Sequence, residues 1–398
     1  MNILFITILL PYPIDCGAKY KTHQILMLLS KNNKIDYVSL IDDYNELVYS
    51  EKLKDYCQSY RIFFSPVINS RNKLLFIKLL LSIFHYKPFI VFKYYSKEMR
   101  QYVYEISQQK KFDLIYIDHI NMAQYIPRDY LGKVIYDEHN ISSIAFSVLS
   151  RNENNPLLKL IYYLESWKLR LFENLYLDRF DHIFTISKLD REKLLLENIN
   201  PNKVSHLPVP FQAKNLYSYN VKNLNITFIG LLSWMPNLKG IIWFIVNVYP
   251  HIKRSIPSIR LRIVGKTGNE LMKFLKRLAD KNIIYEGFLM DLDKLYKKTS
   301  VVIIPIQEGG GIRIKLLDAL SHGMPVVSTT LGAEGIPVTS GKDILIADDP
   351  HDFAEAVISI IKNKEIARRL SENGYQFVKK YYNEDNADKL LTKILKNL

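Results

Sequence analysis

The residues with the most specific chemical pattern lie in Gln307–Gly323, QEGGGIRIKLLDALSHG, directly after the apolar run VVIIP. Gly309, Gly310 and Gly311 lack a Cβ and let a backbone approach a ligand closely. The helix predicted to follow points unpaired N–H groups and its positive dipole end at the same spot. Arg313 and Lys315 add formal charge there, as a diphosphate requires. Asp318 falls three residues past Lys315 on the same helix face, where a carboxylate can accept hydrogen bonds from paired ribose hydroxyls. Without a ligand, the same residues read as a flexible turn, an exposed basic helix start and a Lys315–Asp318 surface pair.

Three other patterns imitate catalytic motifs. Gly265–Lys266–Thr267 looks like the end of a P-loop, yet the glycine required five residues earlier is Arg260. Asp291–Leu292–Asp293 resembles a metal-binding DxD. No histidine or further carboxylate cluster accompanies it, and an aspartate capping the free N–H groups of a helix accounts for it. Ser187, with Asp190 three residues on, reads as a capping box and not as a nucleophile. No metal site is expected.

These residues need elements to position them. Short apolar runs alternate with amphipathic stretches along all 398 residues, which predicts βα units and mostly parallel sheets. Strands are expected near Ile3–Ile8, Ile35–Leu40, Leu114–Ile117, Val134–Tyr136 and Ile183–Ile186. A second set falls near Asn225–Ile229, Arg260–Val264, Ile283–Glu286, Val301–Pro305 and Pro325–Ser328. Helices are expected at Lys21–Ser30, Leu157–Leu175 and Ile312–Leu320, among others. The fold class is therefore α/β, with two Rossmann-like domains. Residues 1–205 form the first, 206–223 a linker of scattered Pro, Asn, Tyr and Lys, and 224–380 the second. Residues 381–398 read as a polar helix packing back toward the first domain. In such sheets ligands sit beyond the carboxyl ends of the strands.

Composition narrows the class. Hydrophobic residues make up 48% and charged residues 24%, a globular profile. Two cysteines, Cys16 and Cys57, exclude a disulfide framework and a thiolate zinc site. The opening run Ile3–Leu10 lacks a basic lead and reads as a buried first strand. The apolar run Leu74–Phe84 carries Lys78 and falls short of the ~20 residues that span a bilayer. The formal charge of +14 attracts polyanions of any kind. Arg71–Arg100 interleaves seven basic residues with Leu, Ile, Phe and Tyr and a single acid, Glu98; it reads either as an anionic-membrane surface or as a solvated helix face.

The glycine-rich segment resembles the donor-binding signature of the family-four retaining glycosyltransferases, which have GT-B architecture. Asp318, Ala319, Gly323 and Pro325–Val326–Val327 match its second half. Gly310 stands where that family usually has a first glutamate, and Asp318 replaces the second. The GGG-x-R-x-K form is similar to one branch. Gly230, Trp234, Pro236 and Asn237 in FIGLLSWMPNLKG, and Gly287 and Phe288 in YEGFLMDL, match further donor-side segments. Gly17 matches the glycine-rich first loop, with Lys21 at a basic position. His139 in YDEHN matches the segment where that family carries an active-site histidine and is the first candidate. His119 in YIDHINMAQY matches a second segment facing the same cleft; the alternative for each is a hydrogen-bonded structural histidine.

The resemblance implies two domains facing each other across a cleft. It implies transfer of a sugar from a nucleotide-sugar donor, with retention and without a metal or other cofactor. The acceptor would be a glycan or lipid-linked sugar in cell-envelope or polysaccharide synthesis, and the protein cytoplasmic, peripheral on the inner face of the membrane. A sugar-nucleotide epimerase on the same fold and a non-catalytic polyanion binder are the rivals. No nucleic-acid-binding motif supports the latter.

Overall fold

The computed structural model of the protein describes residues 1–65, 87–197, 199–212, 224–266, 269–278 and 280–398. The apolar run Leu74–Phe84, the basic stretch up to residue 86, linker residues 213–223 and Thr267 lie outside them. By contacts the chain divides into two units. The first comprises Met1–Ile14, Ala18–Leu207 and Leu391–Leu398; the second comprises Asp15–Gly17 and Pro208–Leu390.

The first unit holds a seven-stranded parallel sheet. Its strands are β1 (Asn2–Thr7), β2 (Lys34–Ile41), β3 (Ser59–Phe64), β4 (Leu114–Asp118), β5 (Lys133–Glu138), β6 (His182–Thr185) and β7 (Val204–His206), in the order β3-β2-β1-β4-β5-β6-β7. Beyond their first residues β1, β2, β4 and β5 are buried throughout, so they read as mainly apolar runs, as strands covered on both faces do, with Asp36 and Ser39 interrupting β2. The helices are α1 (Gly17–Ser30), α2 (Lys97–Gln109), α3 (Ser142–Asn152), α4 (Pro156–Leu177) and α5 (Lys188–Leu195). Asn155 caps α4 by accepting from the N–H groups of Leu157 and Leu158, and Pro156 occupies the first turn, where its missing N–H costs nothing.

The second unit repeats the plan. Its strands are β8 (Asn225–Ile229), β9 (Arg260–Val264), β10 (Ile283–Gly287), β11 (Val301–Ile304), β12 (Val326–Ser328) and β13 (Leu345–Ile346), in the order β10-β9-β8-β11-β12-β13, all parallel. Helices α6 (Met235–Trp243) and α7 (Tyr249–Ser255) are joined by a π-helical turn, Phe244–Val248. Then follow α8 (Asn269–Leu278), α9 (Ile314–Ser321), α10 (Pro350–Lys362), α11 (Lys364–Tyr381) and α12 (Glu384–Asn397), whose residues from Leu391 onward belong to the first unit. The core packs Ile226, Phe228, Ile263 and Ile303 of the sheet against Phe244 and Phe353 of the helices.

All ten expected strands occur, within a few residues at their ends. Three were not expected. β3 is half-exposed along its length, and β7 and β13 have three and two residues, too few for a period to register. α1 starts at Gly17 instead of Lys21, and α9 at Ile314 instead of Ile312. Among the described residues no helix is long and apolar enough to cross a membrane.

In each unit the chain leaves the first strand in one direction and returns to the opposite side for the fourth. The resulting switch points, β1/β4 and β8/β11, are where an open parallel sheet forms its crevice.

Candidate functional site

At the β8/β11 switch point the backbone crosses itself closely. A Cβ on Gly265 would lie 1.9 Å from the Gly230 carbonyl oxygen, so the chain after β9 passes the chain after β8 only because glycine stands there. A Cβ on Gly230 would come 2.8 Å from Asn237 Nδ2 and 2.9 Å from Lys315 Nζ. Gly230 is thus a notch into which the Lys315 ammonium points.

Lys315, in the first turn of α9, reaches back across the unit. Its Nζ donates to Asn237 Oδ1 at 2.5 Å and stands 4.4 Å from the centre of the Phe228 ring. Asn237 is buried and held in place by donating from Nδ2 to the Leu231 carbonyl at 2.8 Å. Among the described residues no carboxylate pairs with Lys315. Burial, and then the neighbouring Arg313 cation, push its pKa well below the ordinary lysine range. A cation in that position lacks negative charge, and an anion at the notch would supply it.

The triple-glycine loop is held by its own arginine. Arg313 is buried, and its guanidinium donates to the carbonyls of Gly309 at 2.7 Å, Gly310 at 2.5 Å and Gly311 at 2.8 Å. It also stands 5.5 Å from the Trp234 ring centre. Burial lowers its pKa to about 10. Gly309 and Gly311 have φ of 92° and 81°, values that side-chain-bearing residues seldom adopt. The charge expected to face a ligand therefore shapes the loop, leaving Lys315 and the free N–H groups of α9 to face outward. Trp234, partly exposed, stands just before α6 and makes both a packing contact and a rim to the loop. Glu308 pairs with Lys239 at 2.8 Å.

Asp318 lies half-buried on α9. Tyr296 Oη donates to its Oδ2 at 2.5 Å, and the buried His322 places Nδ1 3.7 Å from Oδ1. The Lys315–Asp318 surface pair is absent among the described ion pairs; Tyr296 takes the lysine's place. Gly287 ends β10 with φ 74°, its carbonyl accepting from Gly265 N–H at 2.8 Å. Phe288 follows it, with Lys266 Nζ 5.4 Å from its ring centre. The carboxyl ends of β8, β9, β10 and β11 thus bring Gly230, Gly287, Phe288, Gly310, Gly311 and Lys315 to one edge of the sheet.

The β1/β4 switch point is built around Asp118, the fully buried last residue of β4. Its Oδ2 accepts from Thr7 Oγ1 at 2.6 Å and Thr22 Oγ1 at 2.8 Å, and its Oδ1 bonds His139 Nε2. His119 Nδ1 lies 3.3 Å from Oδ2, and the two imidazoles stack with centroids 3.8 Å apart. Burial pushes the Asp118 carboxyl up, but His139 and His119 outweigh it and hold it well below the carboxylate range. Burial pushes His139 down to about 3 against the pull of Asp118. The pair is therefore an ionised carboxylate accepting from a neutral imidazole, and Nδ1 of His139 is left as an acceptor. His119 has φ 77°, a conformation strained by roughly 1–3 kcal/mol in a residue with a Cβ.

These three side chains place one metal-ligating atom each within 4.8 Å of one another. Both Asp118 oxygens already accept hydrogen bonds from side chains on β1, α1 and the loop after β5. Gly17 opens α1, half-buried. Lys21 is buried in a 2.6 Å ion pair with Asp137 and also donates to the Glu138 carbonyl at 2.8 Å.

The imitation motifs resolve locally. Asp291 Oδ1 accepts from Asp293 N–H at 2.9 Å before the short helix Asp293–Tyr296. Ser187 caps α5, accepting from Asp190 N–H at 3.0 Å and donating to Asp190 Oδ2 at 2.6 Å. Sequence reasoning missed Asp118, Tyr296 and His322. A lone acid ending the apolar run LIYID was the signal available for Asp118, and His322 stands four residues past Asp318 on the same helix face. Tyr296 offered none, since its partner lies on another element.

Residues 223–363 match the family model described as Glycosyl transferases group 1. The chain is similar to a protein of Klebsiella pneumoniae described as an uncharacterized 44.6 kDa protein in the cps region, 26% identical over 386 residues and covering 94% of each chain. It is also similar to an uncharacterized glycosyltransferase of Methanocaldococcus jannaschii, 24% identical over 283 residues, 67% of this chain and 68% of that one. Among solved structures, Anabaena HepE in complex with UDP and glucose superposes over 100% of both chains with a TM-score of 0.71 at 14% identity. The fold, two Rossmann-like units with parallel sheets, is that of GT-B glycosyltransferases.

Proposed function

We propose that this chain is a metal-independent, retaining glycosyltransferase that takes a sugar from a nucleoside-diphosphate sugar. The observation that carries the reading is Lys315, a half-buried cation with no carboxylate partner among the described residues, aimed at the glycine notch beside the start of α9. The donor's diphosphate would accept from Lys315 Nζ and from the free N–H groups of that helix. When the bond between the anomeric carbon and phosphate oxygen breaks, negative charge gathers on the leaving diphosphate. A fixed cation and a helix dipole stabilise that charge in place of a divalent ion. Gly287 and Phe288 would line the base, and the free oxygen of Asp318 the ribose. Neutral His139 would accept from a sugar hydroxyl through Nδ1, with His119 stacked on it.

The match to glycosyl transferases group 1 falls on the unit that carries Lys315. HepE was solved with UDP and glucose, which supports a nucleotide-sugar donor here. The relative from a cps region supports a role in polysaccharide synthesis; in this reading the acceptor is a glycan or lipid-linked sugar met at the inner face of the membrane. The test is thermal stabilisation across a panel of UDP-, GDP- and ADP-sugars in the presence of EDTA. A donor at 100 times its dissociation constant should add about 2.7 kcal/mol of stability. No stabilisation by any of them, or stabilisation abolished by the chelator, would reject the reading. Product analysis without acceptor separates transfer from epimerisation.

A further inference from the structure

Side chains alternate along β5 and just past its end. Asp137 meets Lys21 of α1, and His139 meets Asp118, whose other partners are Thr7 and Thr22. Tyr136 and Glu138 therefore point to the opposite face of the sheet, toward α3, α4 and α5. A cavity of about 280 Å³ lies there within the first unit. Ile120, Ile141, Ile144 and Leu194 line its walls, and the exposed Arg151 and Arg170 stand at its mouth.

Glu138 lines this cavity and is 1% exposed, and among the described residues neither of its carboxyl oxygens has a hydrogen-bond partner. A buried polar group without a partner costs stability, and folded proteins keep few of them. The surroundings are negative. Burial first, then Asp190, Glu173 and Asp137, push the Glu138 carboxyl well above the ordinary glutamate range against the pull of Lys21. That lysine is already held by Asp137 on the other face, at 2.6 Å. Burial lifts Glu173 to about 7, although Ser143 donates to both its oxygens through N–H and Oγ. Cations at the mouth are engaged as well: Arg170 donates to both Glu197 oxygens, and Lys193 lies 3.9 Å from Asp190.

This environment selects among ligands. An anion would be repelled by Glu138 and Glu173. A metal ion needs several converging ligand atoms, and among the described residues the one such group of three is Asp118, His119 and His139. A neutral hydroxyl donates a single hydrogen bond and leaves the negative field standing. An ammonium donates three and cancels that field, while the carbon body behind it packs on the isoleucine and leucine walls. We propose that this cavity is a second ligand site, taking a primary amine no larger than a monosaccharide with its ammonium on Glu138. The site lies across the strand from His139 and uses none of the donor residues, so it stands independently of the reading given to them.

The test is calorimetric titration of the full chain with two amines, glucosamine and butylamine, each beside its neutral counterpart, glucose or 1-butanol. Each amine should bind about tenfold tighter than its counterpart or better, since the charge-assisted bonds are made only by the ammonium. Glu138→Gln keeps the shape and removes the charge. It should erase that preference, with a melting temperature at or above that of the parent, because an unpartnered buried carboxyl is lost. Ser147→Phe fills the cavity from α3 and should abolish amine binding with an unchanged circular-dichroism spectrum, which keeps the test open should Glu138→Gln misfold. Three results overturn the proposal: neither amine binds, glucose and 1-butanol bind as tightly as the amines, or amine binding survives both substitutions.

Discussion

The two switch points share a scaffold and differ in what they leave unsatisfied. At β1/β4 a buried carboxylate accepts hydrogen bonds from two hydroxyls and one imidazole of the same unit, with a second imidazole close by. At β8/β11 a half-buried ammonium meets one amide oxygen and an aromatic face, with no carboxylate partner among the described residues. The strand order that brings loops together is the same, so topology alone does not decide which site binds. A carboxylate hydrogen-bonded within its own unit holds its partners in fixed poses, while a cation with no carboxylate partner attracts a ligand of opposite sign. The first site is therefore expected to orient a sugar and the second to grip a diphosphate.

The largest effect should come from removing the uncompensated charge. Lys315→Ala is expected to weaken nucleotide-sugar binding by about 2–3 kcal/mol, the value of a charge-assisted hydrogen bond in a partly buried site. Because the free protein loses a poorly compensated buried cation, its melting temperature should hold or rise. Calorimetric titration beside a thermal melt reads both. A loss of stability with binding intact would reverse the roles given to the two switch points.

The opposite split is expected of the satisfied cluster. Asp118→Asn removes a carboxylate that accepts from Thr7, Thr22 and His139, and should cost about 2 kcal/mol of stability while leaving donor affinity nearly unchanged. Turnover should fall, because His139 loses its orienting partner. His139→Ala should lower turnover with little change in donor affinity; normal turnover in that variant would remove the imidazole from the mechanism.

The acid limb of stability sharpens the same contrast. His139 is held down to about 3 in the folded protein, so between the ordinary histidine value and about 3 the unfolded chain binds a proton that the folded one does not. This proton's contribution therefore lowers stability as pH falls through that window, by up to about 1.4 kcal/mol per pH unit. His182 and His206, lowered to about 4 mainly by burial, slope the same way. Glu173, raised to about 7 by burial, contributes the opposite slope between about 7 and the ordinary glutamate value. His139→Gln should remove one proton's share of the slope, and an unchanged slope in pH-dependent denaturation would argue against a neutral His139. The depressed Asp118 adds stability above the ordinary aspartate value that is lost only at lower pH still.

The smallest effect is expected at Asp318. Tyr296 already occupies one of its oxygens, so Asp318→Ala should weaken donor binding by about 1 kcal/mol. Tyr296→Phe should leave binding nearly unchanged.

Much of the donor side could be read along the chain, because its parts are local. Gly309–Gly311, Lys315 and Asp318 follow a strand within fourteen residues of Ile304, and the order strand, glycines, helix already implies a phosphate-facing helix start. Arg313 was legible as a cation and illegible as a brace. Its hydrogen bonds run to carbonyls two to four residues back, and backbone conformation, not residue type, decides whether those carbonyls turn inward. The cluster around Asp118 was hidden for a different reason. Thr7 and Thr22 lie 111 and 96 residues away, brought near only by the pairing of β1 with β4 and the packing of α1.

Periodicity and residue type by themselves determined the two parallel sheets, their helices and the loops where chemistry could occur. Burial of apolar runs leaves few other arrangements for such a pattern. Which of those polar groups are answered internally and which stay open was decided by tertiary structure alone. The electrostatic free energy of a buried group depends on neighbours a few ångströms away, and distance along the chain says little about who those neighbours are.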